Sequence, residues 1–229
     1  MKVLLNIDAG EHDDEPEELY ALADVVNIAC GGHAGDERSM ERVLRACQER
    51  GTLAGAHPSY EDREGFGRRE LAVDTHALVE GIRRQCGALA EIAARLAVAI
   101  RFVKPHGALY HAANRDGAVA DALRDGVRLG LGGGRLTCTL IGPPGGELLR
   151  LGRTSFGAFA REGFADRATR PDGSLVPRGQ PGAVITDPHA ARAQARAMIA
   201  SGSCDTLCVH GDTAGAVAIA RAVRSELDG

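Results

Sequence analysis

Short apolar runs alternate with helical patterns along the whole chain. The runs at 2–8 (KVLLNID), 24–30 (DVVNIAC), 52–57 (TLAGAH), 100–106 (IRFVKPH), 136–142 (LTCTLIG), 155–164 (SFGAFAREGF) and 206–211 (TLCVHG) read as seven strands. Between them, 37–50 places Met40, Val43, Leu44 and Cys47 at i, i+3, i+4 and i+7, the spacing of one helix face. Asp36 stands where an N-cap belongs and Gly51 where a C-terminal cap belongs. A longer helix is expected from about 74 to 96, with Leu78, Ile82, Cys86 and Leu89 on one face. Further helical patterns occupy 118–129, 145–152, 188–200 and 214–227, and ELYALA gives a short turn between the first two strands. Pro188 after Asp187 is good helix-start chemistry. The polar stretch 165–182, rich in Gly and Pro, is the longest irregular segment.

Strands that alternate with helices and are apolar throughout predict a parallel sheet covered by helices. No linker splits the sequence, so a single catalytic domain over 1–229 is expected, an α/β fold of the TIM-barrel-like (βα) type with seven strands. An open doubly wound sheet is the alternative. No GxGxxG follows a strand, and GPPGGELL (142–149) lacks the Lys and Ser/Thr of a phosphate-binding P-loop.

Composition narrows the partners. The net charge is −4 with both signs interspersed, aromatic residues make up 3% and there is no Trp, so neither nucleic acid nor a membrane is expected as a partner. The six cysteines form no CxxC pair and lie in apolar segments, as reduced small hydrophobes in a cytoplasmic protein would.

Polar residues collect at the C-terminal ends of the expected strands. The first ends with Asn6, Asp8 and Glu11, the second with Asn27, His33 and Asp36, and the third with His57. The fourth ends with Lys104 and His106, the sixth leads into Glu162, Asp166 and Arg167, and the seventh ends with His210 and Asp212. In a parallel barrel these ends open on one face, where catalytic groups gather. Taken singly, each has a plainer explanation: Asp36 and Asp212 precede helices and suit N-caps, and a lone histidine is commonly structural. Four of the eight histidines at such positions together are harder to explain that way. Asp8, His33, His57, His106 and His210 have metal-ligand chemistry, but no HxH, HxxxH or HExxH spacing supports it, and no metal is expected. His12, His76, His111 and His189 read as surface groups, and Arg68 and Arg69 as loop anchors.

Seven blocks in order carry a resemblance: NIDAGE (6–11), NIACGGHAGD (27–36), GAHPSYEDREGFGRR (55–69), VKPHGALY (103–110), EGFADRATRPDGSLVPR (162–178), PGAVI (181–185) and VHGDTAGAVAIARAV (209–223). Together they resemble the LamB/YcsF family. The resemblance implies a distorted seven-stranded barrel related to the glycoside hydrolase/deacetylase barrels. It also implies ATP-dependent cleavage of the lactam 5-oxoproline to L-glutamate, as the A component of an assembly with B and C subunits. Carried onto this sequence, it makes Asp8, His33, His57, Lys104, His106, Asp166 and His210 the expected catalytic set. Asn6, Glu11, Asn27, Asp36, Glu162, Arg167 and Asp212 are the expected substrate contacts. Three departures stand out: a shorter, acidic segment at 12–24, Gly32 where the family usually has Phe, and Thr169 where Ala-Tyr usually follows FADR. They leave the polar set intact and point to a wider pocket or one altered wall. Lactam hydrolysis needs a base for water, an acid for the departing nitrogen and cations for phosphate and carboxylate. Asp8 or a neighbouring histidine is the expected base, His106 or His210 the acid, and Lys104 and Arg167 the cations. A metal-dependent hydrolase acting alone and a non-catalytic scaffold subunit are the rival readings.

Overall fold

The structure is a computed structural model that describes residues 2–170 and 174–229. Its elements run β1 (Leu4–Ala9), α1 (Glu18–Leu22), β2 (Val25–Ala29), α2 (Glu37–Arg50), β3 (Leu53–His57), α3 (Thr75–Arg95), β4 (Ile100–Val103), α4 (Gly107–Arg115), α5 (Gly117–Gly130), β5 (Thr139–Gly142), α6 (Glu147–Thr154), β6 (Ala158–Phe164), α7 (Pro188–Ser201), β7 (Thr206–His210) and α8 (Ala216–Leu227). All seven strands are parallel and form a closed barrel in sequence order, with β7 pairing back onto β1. The fold is thus a TIM-barrel-like α/β barrel with seven strands.

Strand alternation divides the core in two. Leu5, Ile7, Val26, Ile28, Leu140, Leu207 and Val209 point outward into the main apolar cluster under the helices. Inside, Val25, Phe102, Ile141 and Ala160, with Leu4, plug the barrel at its N-terminal end. Gly55 makes room for that plug, because a Cβ there would lie 2.9 Å from the Phe102 Cβ. One step up each strand the interior turns polar, with Asn6, Asn27, Glu162 and Thr206, all buried. This layering places the chemistry at the C-terminal mouth.

The helix caps follow the sequence. Asp36 and Ser39 form a reciprocal capping box on α2, and Gly51 closes it at φ 70°. Asp187 caps α7, with Pro188 in the first turn and Gly202 at φ 62° after it. Helix α4 is not anticipated by the sequence pattern: nine residues turn helical directly after the Pro105–His106 bend, and only the following helix shows as a pattern in the sequence. Strand β4 correspondingly stops at Val103, so Lys104 and His106 belong to the bend beyond it. Strands β5 and β6 begin three residues later than expected, at Thr139 and Ala158. The 165–182 stretch holds only isolated bridges, Arg167 with Val184 and Thr169 with Leu175, and its positions 171–173 lie outside the described residues. All six cysteines are free and buried. No helix among the described residues is long and apolar enough to cross a membrane.

Candidate active site

A cleft of about 750 Å³ opens at the mouth. Asp8, His57, Lys104, His106, Glu162, Arg167 and His210 line it, which brings half of the expected site residues onto one surface. The rest divide by depth. Asn6 and Asn27 lie beneath, Glu11 and His33 stand behind the wall formed by His57 and His106, and Asp166 and Asp212 support the rim. Asp36 is the exception and corrects the sequence reading. It is exposed, and its carboxylate accepts the Ser39 N–H at 2.8 Å as the α2 cap, so it belongs to the helix and not to the cleft.

The floor is an ion cluster around Lys104. Its ammonium lies 2.9 and 3.0 Å from the two Asp8 oxygens, 2.8 Å from Glu162 Oε1 and 3.0 Å from Cys208 Sγ. Asn27 donates to Asp8 Oδ1 and to Asn6 Oδ1, both at 2.9 Å, and Asn6 passes the chain on to Thr206. Burial alone would raise the Asp8 carboxyl, but the Lys104 ammonium, charged and hydrogen-bonded to both its oxygens, holds it well below its ordinary value. Burial would likewise lower Lys104, yet the charges of Asp8, Cys208 and Glu162 hold it well above. Both stay ionised at neutral pH, so Lys104 cross-links the strands as a fixed cation. Desolvation raises the Glu162 carboxyl.

A second cluster sits in the wall. His57 Nδ1 meets the Lys104 carbonyl oxygen at 2.7 Å, and His106 Nε2 meets the Phe66 carbonyl oxygen at 2.9 Å. The inner nitrogens of the two rings face each other at 2.9 Å. Glu11 Oε1 lies 3.0 Å from His33 Nε2, 3.4 Å from His106 Nδ1 and 3.9 Å from His57 Nε2. The His33 and His106 rings stack with centroids 3.6 Å apart. Burial holds all three imidazoles neutral, His33 down at about 3, and burial with the Asp8 charge pushes Glu11 up to about 8. The loop after β3 closes over this cluster because residue 67 is glycine. It adopts φ +64°, and a Cβ there would come within 2.8 Å of His33 and 2.9 Å of His106. The acidic segment 12–24 contributes Glu15, whose buried carboxylate accepts the Gly10 and Glu11 N–H groups and the Tyr20 hydroxyl, fixing the backbone that carries Glu11.

On the opposite side His210 is held by Asp166. The carboxylate accepts the His210 backbone N–H at 3.0 Å, faces its Nδ1 at 3.0 and 3.1 Å, and accepts the Thr213 hydroxyl at 2.6 Å. Asp166 is therefore a positioning residue, while His210 presents Nε2 to the cleft. Phe164 stacks on the ring at 5.7 Å. Of the strand-end imidazoles lining the cleft, His210 alone keeps a nitrogen without a hydrogen-bond partner among the described residues.

Sequence reasoning passed over four contributors: Arg68, Arg178, Cys208 and His111. Arg68, expected as a loop anchor, lines the cleft and pairs with Asp212, which also meets Arg178 at 3.2 Å. Its neighbour Arg69 does anchor the loop, through Asp62. Cys208, expected as a small hydrophobe, touches the Lys104 ammonium. Nothing in a loop sequence tells which of two adjacent arginines turns inward, whereas the strand alternation of Thr206, Cys208 and His210 does point Cys208 to the interior. His111 is exposed as expected but stands on the cleft lining. Gly32 does not widen the pocket, because Gln85 and Ser59 fill the space, each within 2.4 Å of where its Cβ would lie. Thr169 is exposed and also lines the cleft.

Comparison with known proteins gives a consistent set. The model of the LamB/YcsF family matches residues 3–229. The A component of 5-oxoprolinase from Methylococcus capsulatus is 42% identical over 97% of this chain and 91% of its own length. The protein of the same name from Symbiobacterium thermophilum is 40% identical over 99% and 92%. The crystal structure of a lactam utilization protein from Thermus thermophilus superposes with a TM-score of 0.87 at 34% identity, covering 100% of this chain and 96% of that one.

Proposed function

The chain belongs to the LamB/YcsF family, and from that premise we propose that it hydrolyses 5-oxoproline to L-glutamate as the A component of an ATP-dependent assembly with B and C subunits. The names of its relatives support this reading, and one observation carries it. Asp166-bound His210 faces the Lys104–Asp8 floor of a single cleft lined by Arg68, Arg167 and Arg178. A lactam is a poor electrophile with a poor leaving group. Phosphorylation of its oxygen by ATP, with release of ADP, makes the ring carbon electrophilic; water adds, the C–N bond breaks as the nitrogen gains a proton, and a second water releases phosphate from the resulting side-chain acyl phosphate to leave glutamate. His210 Nε2 takes the proton from water and returns it to the nitrogen, with Asp166 holding the ring and balancing its charge. The arginines hold the phosphoryl oxygens and the substrate carboxylate. His106, the other candidate acid, has both ring nitrogens engaged, and Asp8 is tied to Lys104, so neither serves as well. The free cysteines fit a reducing, cytoplasmic setting.

The test is turnover of 5-oxoproline and ATP by the purified chain, first alone and then with candidate B and C subunits. Glutamate is expected only from the assembled set. His210→Ala is expected to lower that rate by about 10²–10⁴-fold, and Asp166→Asn by roughly 10–100-fold with little change in KM. Full activity of the His210→Ala assembly would leave the chain as a scaffold. Lactam hydrolysis by the chain alone, without nucleotide, would favour an independent hydrolase.

A further inference from the structure

The wall cluster has a proton deficit. A carbonyl oxygen can only accept, so the Lys104 and Phe66 carbonyls fix the hydrogens on His57 Nδ1 and His106 Nε2. The inner nitrogens, His57 Nε2 and His106 Nδ1, then both present lone pairs, 2.9 Å apart. Two lone pairs at that distance repel unless a positive charge lies between or beside them. Glu11, as a carboxyl group, brings at most one hydrogen to this space. No lysine or arginine among the described residues reaches Glu11, whose ion-pair partners are the three imidazoles.

We propose that Glu11, His33, His57 and His106 bind a divalent transition-metal ion, with zinc the best match to three imidazoles and one carboxylate. Their four ligand atoms lie within 4.8 Å of one another, and all four residues are at least nine-tenths buried. A tetrahedral ion with bonds of about 2.1 Å sets its ligand atoms about 3.4 Å apart. The separations of 2.9, 3.0, 3.4 and 3.9 Å bracket that value. A backbone carbonyl on the outer ring nitrogen, seen on two of the three imidazoles, is the arrangement that orients metal-bound histidines. The third, His33, has no partner at Nδ1 among the described residues, so its ring can turn from the parallel stack on His106, 3.6 Å away, to aim Nε2 at the ion. The neighbouring group of Asp8, Cys208 and His210 has suitable donors too, but the Lys104 ammonium already contacts Asp8 and Cys208. The ion would tie together the C-terminal ends of β1, β2, β3 and β4, stiffening one wall of the cleft. This inference concerns the same cleft but does not rest on the lactam reading, because metal binding is measured without substrate.

The chain is stripped with a chelator, dialysed, checked for folding and titrated by calorimetry with Zn²⁺, then with Co²⁺ read by visible absorption. One equivalent per chain is expected, with tetrahedral Co²⁺ bands and a raised unfolding temperature. Glu11→Gln and His106→Gln are each expected to weaken Zn²⁺ at least as much as the roughly 10–100-fold cost of losing an outer partner, while His210→Gln leaves affinity unchanged. Failure of the folded wild-type chain to bind Zn²⁺ or Co²⁺ overturns the proposal. So does binding that survives Glu11→Gln and His106→Gln but is lost in His210→Gln. If the Glu11 and His106 variants do not fold, the wild-type stoichiometry and Co²⁺ spectrum still decide the matter.

Discussion

Asp8 and Glu11 stand three residues apart at the end of one strand, both carboxylates are buried, and their charges are met in opposite ways. Asp8 has an ammonium 2.9 Å away, and Lys104 binds Glu162 as well, so that cluster carries its own counter-charge. Glu11 is surrounded by three imidazoles that burial keeps neutral. A buried charge with a built-in partner is architecture: it fixes strands relative to one another and does not depend on the solution. A buried acceptor set without one takes its positive charge from outside, as a proton or an ion. Two neighbouring positions at the end of β1 thus separate a strut from a receptor.

The largest effect is expected where the strut is cut. Lys104→Met strands Asp8 and Glu162 without a cation and should lower stability by about 3–5 kcal/mol in urea denaturation. His106→Gln in the metal-free chain strands no fixed charge and should cost less, about 1–3 kcal/mol. Equal costs for the two would erase the distinction between the clusters. Gly67→Ala acts on the receptor alone. It forces a side chain into φ +64° against His33 and His106, so a loss of about 1–3 kcal/mol is expected from the backbone strain. Zn²⁺ affinity should fall with it, and an unchanged affinity would mean that the loop does not shape the cluster. The smallest effect belongs to the lip, where Asp212 pairs with the partly exposed Arg68 and Arg178. Asp212→Asn should cost no more than about 1 kcal/mol at neutral pH. Burial would raise the Asp212 carboxyl, but Arg178 and Arg68 hold it below its ordinary 3.8. A depressed acid stabilises the fold above its ordinary value, and that gain is lost as pH falls through the folded value. The gap between Asp212→Asn and wild type should therefore close below pH 3.8 in acid titrations followed by circular dichroism.

The seven strands, their parallel order and the gathering of polar groups at one mouth were legible because strand runs and helix faces have distinct periods, and because a parallel barrel sends every strand end to the same side. Helix α4 was hidden for the reason that makes it useful. It starts on the Pro105–His106–Gly107 bend and buries Leu109, Tyr110, Ala112 and Ala113, so its pattern lacks one clean face. Asp36 was over-read because a strand-end carboxylate and a helix cap occupy the same few positions in a βα loop. The pairing within the mouth was out of reach for a different reason. Alternation says which residues point inward, but whether Glu11 meets Lys104 or His33 depends on ångström-scale register and on the loop that folds over them. Likewise, adjacent Arg68 and Arg69 take opposite directions from a tight turn whose geometry no single residue announces.

Barrel closure also imposes an order of assembly. Strand β1 pairs with β2 on one side and with β7 on the other, and the side chains of Asn6 and Thr206 bridge two hundred positions of chain. During synthesis, all four members of the wall cluster have been made once residue 106 is added. The floor cluster waits for Glu162 and then for Cys208, near the very end. Until that moment Asp8 lies on an open edge strand, β1, so β7 is both the stave that closes the cask and the signal that the site can be finished.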